Sequence, residues 1–158
     1  AECTTFVFVK MIQRMPITTE SLHRIAQFFE SYAHALENAD TKKMAFHYAL
    51  PCTFMDDEGC VVFTDASKLE GLFNQGISFF RHHGIANARP EIWSKRQWTE
   101  HIIKTKVNWR YYDKDNRFLY TCDYYYLLRF DKHGAWKIQV STSVNEKERM
   151  KEWLEKEL

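Results

Sequence analysis

The chain has 158 residues, a formal net charge of +1, and only 5 Gly and 3 Pro. This length suits one domain with a real core, and 45% hydrophobic residues with so little Gly and Pro argue against a disordered chain. The near-zero charge argues against a protein that mainly binds nucleic-acid phosphates. The 12 Phe, 8 Tyr and 5 Trp make up 16% of the chain, which exceeds what a small domain needs for its core.

The cysteines indicate the compartment. None of the four forms a CxxC or another metal-binding spacing. Cys52 and Cys60 flank a predicted tight turn whose register places Cys60 opposite Met55, so these two cysteines are poorly placed for a disulfide. We therefore expect free thiols in a reducing cytoplasm.

The N-terminal segment is interpreted separately from the rest of the chain. Residues 1–17 are expected to form an arm or an extra strand, and residues 18–158 a single domain. Removal of a signal peptide before Ala1 stays open, because the chain does not begin with Met. No apolar run reaches the roughly 20 residues that span a membrane, so no membrane partner is expected.

The first half of the domain has helical spacing, interrupted by one hairpin. Thr18 or Thr19 can cap a helix, Pro51 prevents the continuation of a second, and Asp57-Glu58-Gly59 is a typical tight turn. The predicted elements are a helix from Thr18 or Thr19 to Asn38, a short helix from Thr41, strands at 52–56 and 60–63, and a helix from Asp65 to Gly84.

From Ala88 onward the hydrophobic period is two, which predicts an antiparallel meander. Asn145, with Glu148 three residues later, resembles a capping box that opens a last helix. Helices that are segregated from an antiparallel sheet predict an α+β domain. The predicted strands are 89–99, 101–112, 118–130 and 136–144.

The alternation within the strands assigns side chains to two faces. Trp136, Ile138 and Val140 are predicted to share the inner face of the last strand, with Ser141 on the other face. The outer face of the meander is mixed, which is expected if a second subunit covers it. The aromatic residues assigned to the inner face are Trp109, Tyr120, Tyr124, Tyr126 and Trp136, and the outer face carries Lys104, Lys106, Arg110, Tyr112 and Tyr125.

Three stretches in this order resemble the nuclear transport factor 2-like (NTF2-like) superfamily, which includes the SnoaL-like polyketide cyclases and ketosteroid isomerase. They are the helix end Tyr32–Asp40, the hairpin Pro51–Gly59 and the hairpin Arg129–Ile138, and the resemblance covers roughly residues 18–144. It implies a cone-shaped, curved antiparallel sheet packed on N-terminal helices, with a C-terminal helix added here. It also implies a pocket at the open end and, in many members, a homodimer through the outer sheet face.

The resemblance to ketosteroid isomerase suggests three catalytic candidates. Tyr32 matches a donor to a developing oxyanion, and Asp56 matches the general base. Tyr126 stands where that enzyme has a protonated Asp, which is a departure from its pattern. A carboxylate in an apolar pocket becomes a usable base, and two phenols can stabilise an oxyanion. The alternatives are that Tyr32 is a core aromatic and Asp56 a solvated turn residue.

Four further residues are candidates for ligand contacts. Trp109 falls where the family places an aromatic pocket wall, and Tyr124 is on the predicted inner face. His47 lies on the short helix near the cone mouth, and His101 begins a strand on the face of Trp109. A lone histidine is more often structural than functional, so both histidines have a structural alternative.

The sequence predicts a small-molecule-binding protein with an aromatic pocket for an apolar ligand. No His or Cys spacing fits a metal site and no Gly-rich loop fits a phosphate, so neither a metal nor a cofactor is expected. The protein is then either a cofactor-free isomerase, dehydratase or cyclase, or a non-catalytic ligand-binding or protein-association domain. We expect a cytoplasmic homodimer in either case.

Overall fold

A computed structural model describes residues 17–158 of the chain. The arm predicted for residues 1–17 lies outside the described residues, except for Ile17, which packs against the core. The helices are α1 (Thr19–Glu37), α2 (Thr41–Phe46), α3 (Ala66–His82) and α4 (Glu146–Lys156). The strands are β1 (Tyr48–Asp56), β2 (Gly59–Phe63), β3 (Asn87–Gln97), β4 (Ile102–Tyr112), β5 (Phe118–Phe130) and β6 (Trp136–Ser143).

The predicted helix caps are present in α1 and α3. At the start of α1, the Ser21 N–H donates to Thr18 Oγ1 over 3.1 Å, and the Thr18 N–H donates to Ser21 Oγ over 2.7 Å. At the start of α3, the Ser67 N–H donates to Asp65 Oδ1 over 2.7 Å. Gly84 has a φ of 74° just after α3, a conformation that favours glycine. Local sequence signals therefore fix both helices.

The capping box predicted for α4 is wrong. Asn145 is the N-cap residue, but its side chain caps no helical N–H group. Instead its Oδ1 accepts from the Asp123 N–H over 2.8 Å, and its Nδ2 donates to Asp123 Oδ2 over 3.3 Å. A tertiary bond to β5 has replaced the local cap, and it fixes the position of Glu146, the first residue of α4.

The strands form one six-stranded sheet in the order β2-β1-β6-β5-β4-β3. The predicted hairpin and meander are confirmed as antiparallel pairs, with Met55 opposite Cys60. The two units are joined by a parallel pairing of β1 with β6, which local patterns did not predict. Cys52 and Cys60 are free, as expected from their register.

A β-bulge reverses part of the face assignment in β6. The pairing with β5 skips Gln139. Ile138 is on the inner face, as predicted. Val140 lies on the outer face instead. Ser141, which pairs with Tyr126, lies buried on the inner face. The prediction for Val140 is wrong, because one extra residue in β6 moves each later side chain of the strand to the opposite face of the sheet.

The core lies between the inner face of the sheet and the helices. Phe29 of α1, Leu69 of α3 and Ile103 of β4 are completely buried there. The Trp136 indole N–H donates to the Ser21 carbonyl over 2.7 Å, which ties the sheet to α1. The architecture is the predicted α+β arrangement. No helix within residues 17–158 is long and apolar enough to cross a membrane.

Candidate functional site

A cavity of about 460 Å³ lies between the inner face of the sheet and α1, α2 and α3. Gln75 and Gly76 of α3 line it and are exposed, so the cavity reaches solvent along this helix. Aromatic side chains form most of its wall. They include Tyr32, Tyr48, Phe73, Trp109, Tyr124 and Tyr126.

Tyr32 and Tyr48 form a hydrogen-bonded pair in the wall. Tyr32 comes from α1 and Tyr48 from the start of β1, and their hydroxyl oxygens are 3.0 Å apart. Burial raises the pKa of both phenols, so both stay protonated at neutral pH. One of the two hydroxyl groups donates its proton to the other. The hydroxyl that accepts keeps its own proton, which it can donate to a bound molecule.

Tyr126 is a hydrogen-bond donor with a free proton. The Trp109 indole N–H donates to the Tyr126 hydroxyl over 2.8 Å, deep in the wall. The bonds found within the described part of the chain include no acceptor for the Tyr126 proton. Burial raises the pKa of Tyr126 well above its ordinary value, so this proton is retained and can be donated into the cavity.

Glu146 is the only charged residue that lines the cavity, as far as the described residues show. The Tyr124 hydroxyl and the Cys122 thiol both donate to its Oε2 atom, the thiol over 3.5 Å. Burial raises the pKa of the Glu146 carboxyl, although these two donors partly oppose that shift. Sequence reasoning missed this residue, because nothing local distinguishes it from the exposed Glu148 in the same helical turn.

Asp56 has a different environment from the one expected for a base. Its Oδ1 accepts from the N–H groups of Glu58 and Gly59, and its Oδ2 pairs with Lys147 over 3.0 Å. Lys147 and the turn amides hold the pKa of Asp56 below its ordinary value. Asp56 lines an adjoining groove, which shares Tyr124 with the cavity. The structure therefore does not bring Asp56 together with the two candidate tyrosines.

The two candidate histidines are outside the cavity wall. His47 is buried, with Nδ1 2.7 Å from the Lys43 carbonyl and Nε2 3.2 Å from Ser31 Oγ. Burial lowers its pKa, which favours a neutral structural histidine. His101 lies just before β4, where its carbonyl accepts from the Phe130 N–H over 2.8 Å. Of the seven candidates, the cavity collects Tyr32, Trp109, Tyr124 and Tyr126.

The wall is suited to hydrogen bonding and to proton exchange. It offers neutral phenol donors and one carboxyl group whose proton affinity is increased by burial. Within residues 17–158 no cluster of three or more His, Cys, Asp or Glu side chains could hold a metal ion. The phenols and the carboxyl group of the wall are side chains that can take part in acid–base chemistry.

Solved structures resemble this fold at low sequence identity. A cystatin-like domain from Nostoc punctiforme has a TM-score of 0.65 and 15% identity, over 82% of this chain and 80% of that chain. A ketosteroid isomerase-like protein from Erwinia carotovora atroseptica has a TM-score of 0.60 and 15% identity, over 80% and 97%. An NTF-2 like protein from Shewanella oneidensis has a TM-score of 0.61 and 13% identity, over 78% and 98%. These similarities establish the fold alone.

Sequence comparison identifies the family. No curated protein matches the chain. The family described as NTF2-like protein (DUF6841) matches residues 20–146, a span that runs from the first turn of α1 to Glu146. The resemblance found in the sequence is confirmed by this match and by the fold. The chain therefore belongs to this family of the NTF2-like superfamily.

Proposed function

We propose that the protein binds a small, largely apolar molecule in the aromatic cavity. The volume of about 460 Å³ carries this proposal, because it falls within the range of small-molecule sites. An engineered apolar cavity of about 150 Å³ already holds benzene. A ring with a side chain, or two fused rings, therefore fits the space. The Tyr126 proton supplies a polar contact that orients such a ligand.

The oligomeric state and the compartment of the protein are also proposals. We propose a homodimer that forms through the outer sheet face, in the cytoplasm. The free thiols of Cys52, Cys60 and Cys122 agree with a reducing compartment. Neither a metal nor a cofactor is invoked, and no membrane or nucleic-acid partner is proposed.

Occluding the cavity at its mouth tests the proposed function. A Cβ atom built at Gly76 meets no atom within 4 Å, so Gly76→Phe can place a ring at the mouth without a backbone clash. The control is Gly71→Phe, which is equally open on α3 but does not line the cavity. In a thermal-shift screen of small aromatic compounds, we expect stabilisation of the wild type and Gly71→Phe only. Equal stabilisation of Gly76→Phe would place the binding site elsewhere.

A second candidate function is cofactor-free isomerisation, dehydration or cyclisation of the bound molecule. Glu146 favours it, because burial raises the pKa of this cavity-lining carboxyl group, and a raised pKa makes a carboxylate a better proton acceptor. In this proposal Glu146 replaces Asp56 as the base, and Tyr126 and Tyr32 donate to the developing oxyanion. A solved neighbour described as ketosteroid isomerase-like gives this candidate added weight. The non-catalytic alternative uses the same contacts without proton transfer.

Deuterium exchange separates these two candidates. A ligand from the screen that carries an exchangeable C–H bond is incubated with protein in heavy water, and deuterium uptake is followed by NMR. Catalysis predicts uptake with the wild type and Asp56→Asn, and a loss of at least about 100-fold with Glu146→Gln. Binding without uptake supports the non-catalytic alternative, whereas undiminished uptake with Glu146→Gln contradicts the role of Glu146.

A further inference from the structure

We infer that the cavity selects small molecules that combine an apolar ring with a protonated amine, whose ammonium group pairs with Glu146. This inference rests on the proposed ligand-binding function and names the class of ligand. It concerns the charge of the ligand, which the volume and the apolar wall leave undetermined.

The first observation is the charge of the wall. Among the described residues that line the cavity there is no Lys, Arg or His, and Glu146 is the single acidic group. The neighbouring cation, Lys147, is turned to the hairpin, where it pairs with Asp56 over 3.0 Å and with Glu58 over 2.5 Å. An anionic ligand would therefore enter without a counter-charge, whereas a cationic ligand meets one.

The second observation is the unfilled hydrogen-bonding capacity of Glu146. Cys122 and Tyr124 both donate to Oε2, and the described residues provide no donor to Oε1. An ionised carboxylate accepts at both oxygens, and an N⁺–H donor forms a stronger bond to it than a neutral donor does. The raised pKa of Glu146 agrees with a carboxyl group that lacks a positive partner. An ammonium group supplies both the donor and the charge.

The third observation is the ring faces next to Glu146. Tyr124 and Tyr126 stack in the wall with their ring centroids 5.5 Å apart and their planes 13° apart. Ring faces attract cations, and a carboxylate beside them adds to that attraction. The cation–π contacts among the described residues involve other rings, such as Lys106 over Tyr125 on the outer sheet face. No described Lys or Arg lies over the Tyr124 or Tyr126 ring, and since Tyr126 also packs against Phe29, Tyr124 is the ring better placed for a ligand cation.

The groups that face Glu146 decide how binding depends on pH. They are Cys122, Tyr120, Tyr124 and Tyr126 of β5, Tyr111 of β4 and Tyr32 of α1, and burial raises the pKa of each, so all stay neutral near pH 7. Below the pKa of unliganded Glu146, its proton must leave before an ammonium ion can pair with it. We therefore expect the affinity for an amine to fall about tenfold per pH unit in that range. The affinity for a neutral alcohol should not change.

A matched set of probes tests the inference by isothermal titration calorimetry. Phenethylamine, phenethyl alcohol and phenylacetate share a ring and a short chain but differ in charge. The wild type should bind the amine at least about tenfold more tightly than the alcohol, and the carboxylate most weakly. Glu146→Gln should remove the preference for the amine while the affinity for the alcohol stays within about threefold. Glu148→Gln, an exposed change on the same helix, should behave as the wild type.

The outcomes separate the two proposals. Equal affinities for the amine and the alcohol in the wild type overturn the inference, and so does a preference that persists in Glu146→Gln; cavity binding then still stands. If none of the probes binds, the inference is overturned, whereas the proposed function is decided by the compound screen with Gly76→Phe and Gly71→Phe. The pH series on the wild type gives an independent test should Glu146→Gln fail to fold, because an amine affinity that does not change at low pH also overturns the inference.

Discussion

Two carboxyl groups near the cavity have opposite environments. Burial raises the pKa of Glu146, whereas Lys147 and two turn amides lower that of Asp56. A group with a raised pKa holds a proton that it can give to a ligand or exchange for a ligand cation. A group with a lowered pKa is a weak base, and Asp56 is suited to holding the hairpin turn. The residue with the more favourable chemistry is the one that the family pattern did not indicate.

The raised pKa of Glu146 predicts how stability depends on pH. The folded state binds the proton more tightly than the unfolded chain, so this contribution is fully present below the unfolded pKa of about 4.3 and is lost as pH rises through the folded pKa. Glu146→Gln should remove this loss, so the free energy of unfolding should fall less between pH 4 and pH 8 in the variant than in the wild type. Urea unfolding at both pH values measures the difference. An unchanged pH dependence would contradict the buried environment of Glu146, and Glu148→Gln is the control.

The sequence predicts part of the site because the alternation of β4 and β5 is regular where they line it. Trp109, Tyr124 and Tyr126 follow a period of two, and register then places them in one wall. Glu146 is not predicted, since its position depends on the bond between Asn145 and Asp123, which are 22 residues apart. Local patterns do not encode such a contact.

At the scale of elements, Asn145 links the end of the sheet to α4. Asn145→Ala removes the acceptor for the Asp123 N–H and should reduce the free energy of unfolding by about 1–2 kcal/mol. Because this link positions Glu146, the variant should also lose affinity for phenethylamine. Chemical denaturation and calorimetry measure the two effects.

The control for this prediction is Asp65→Ala. It removes the N-cap of α3 and should reduce stability by about 1 kcal/mol, but it leaves α4 in place. Its affinity for the amine should stay that of the wild type. If both variants bind the amine equally well, the link to β5 does not position Glu146.

The β-bulge and the parallel pair explain where the predicted fold and the structure diverge. The bulge at Gln139 turns Ser141 into the cavity, and the pairing of β1 with β6 joins the hairpin to the meander. Both depend on contacts between distant segments, so alternation within a single strand does not predict them. The helices and the antiparallel pairs depend on caps, turns and periodicity, and the sequence predicts them, although the cap predicted for α4 is wrong.

At the scale of the whole molecule, the aromatic residues serve two faces of one sheet. Several inner rings, such as Trp109 and Tyr126, line the cavity. On the outer face, Lys104 and Lys106 lie over the Tyr125 ring at 5.3 and 5.6 Å. Trp93 and Trp98 beside them remain about half exposed. The large aromatic content is therefore explained only partly by the core and the cavity.

The outer face leads to a prediction about assembly. The exposed Trp93 and Trp98, with lysine side chains lying over rings of this face, form a surface that a second copy of the chain can bury. We therefore expect a dimer in sedimentation velocity. Trp93→Asp should shift the protein to a monomer, because it places a charge where apolar contact is needed. The control is Lys151→Glu, because Lys151 is an exposed residue of α4 and not of the sheet, and this change should leave the dimer intact. A monomeric wild type at high protein concentration would rule out this role for the outer face, and ligand binding in the cavity would then belong to a single chain.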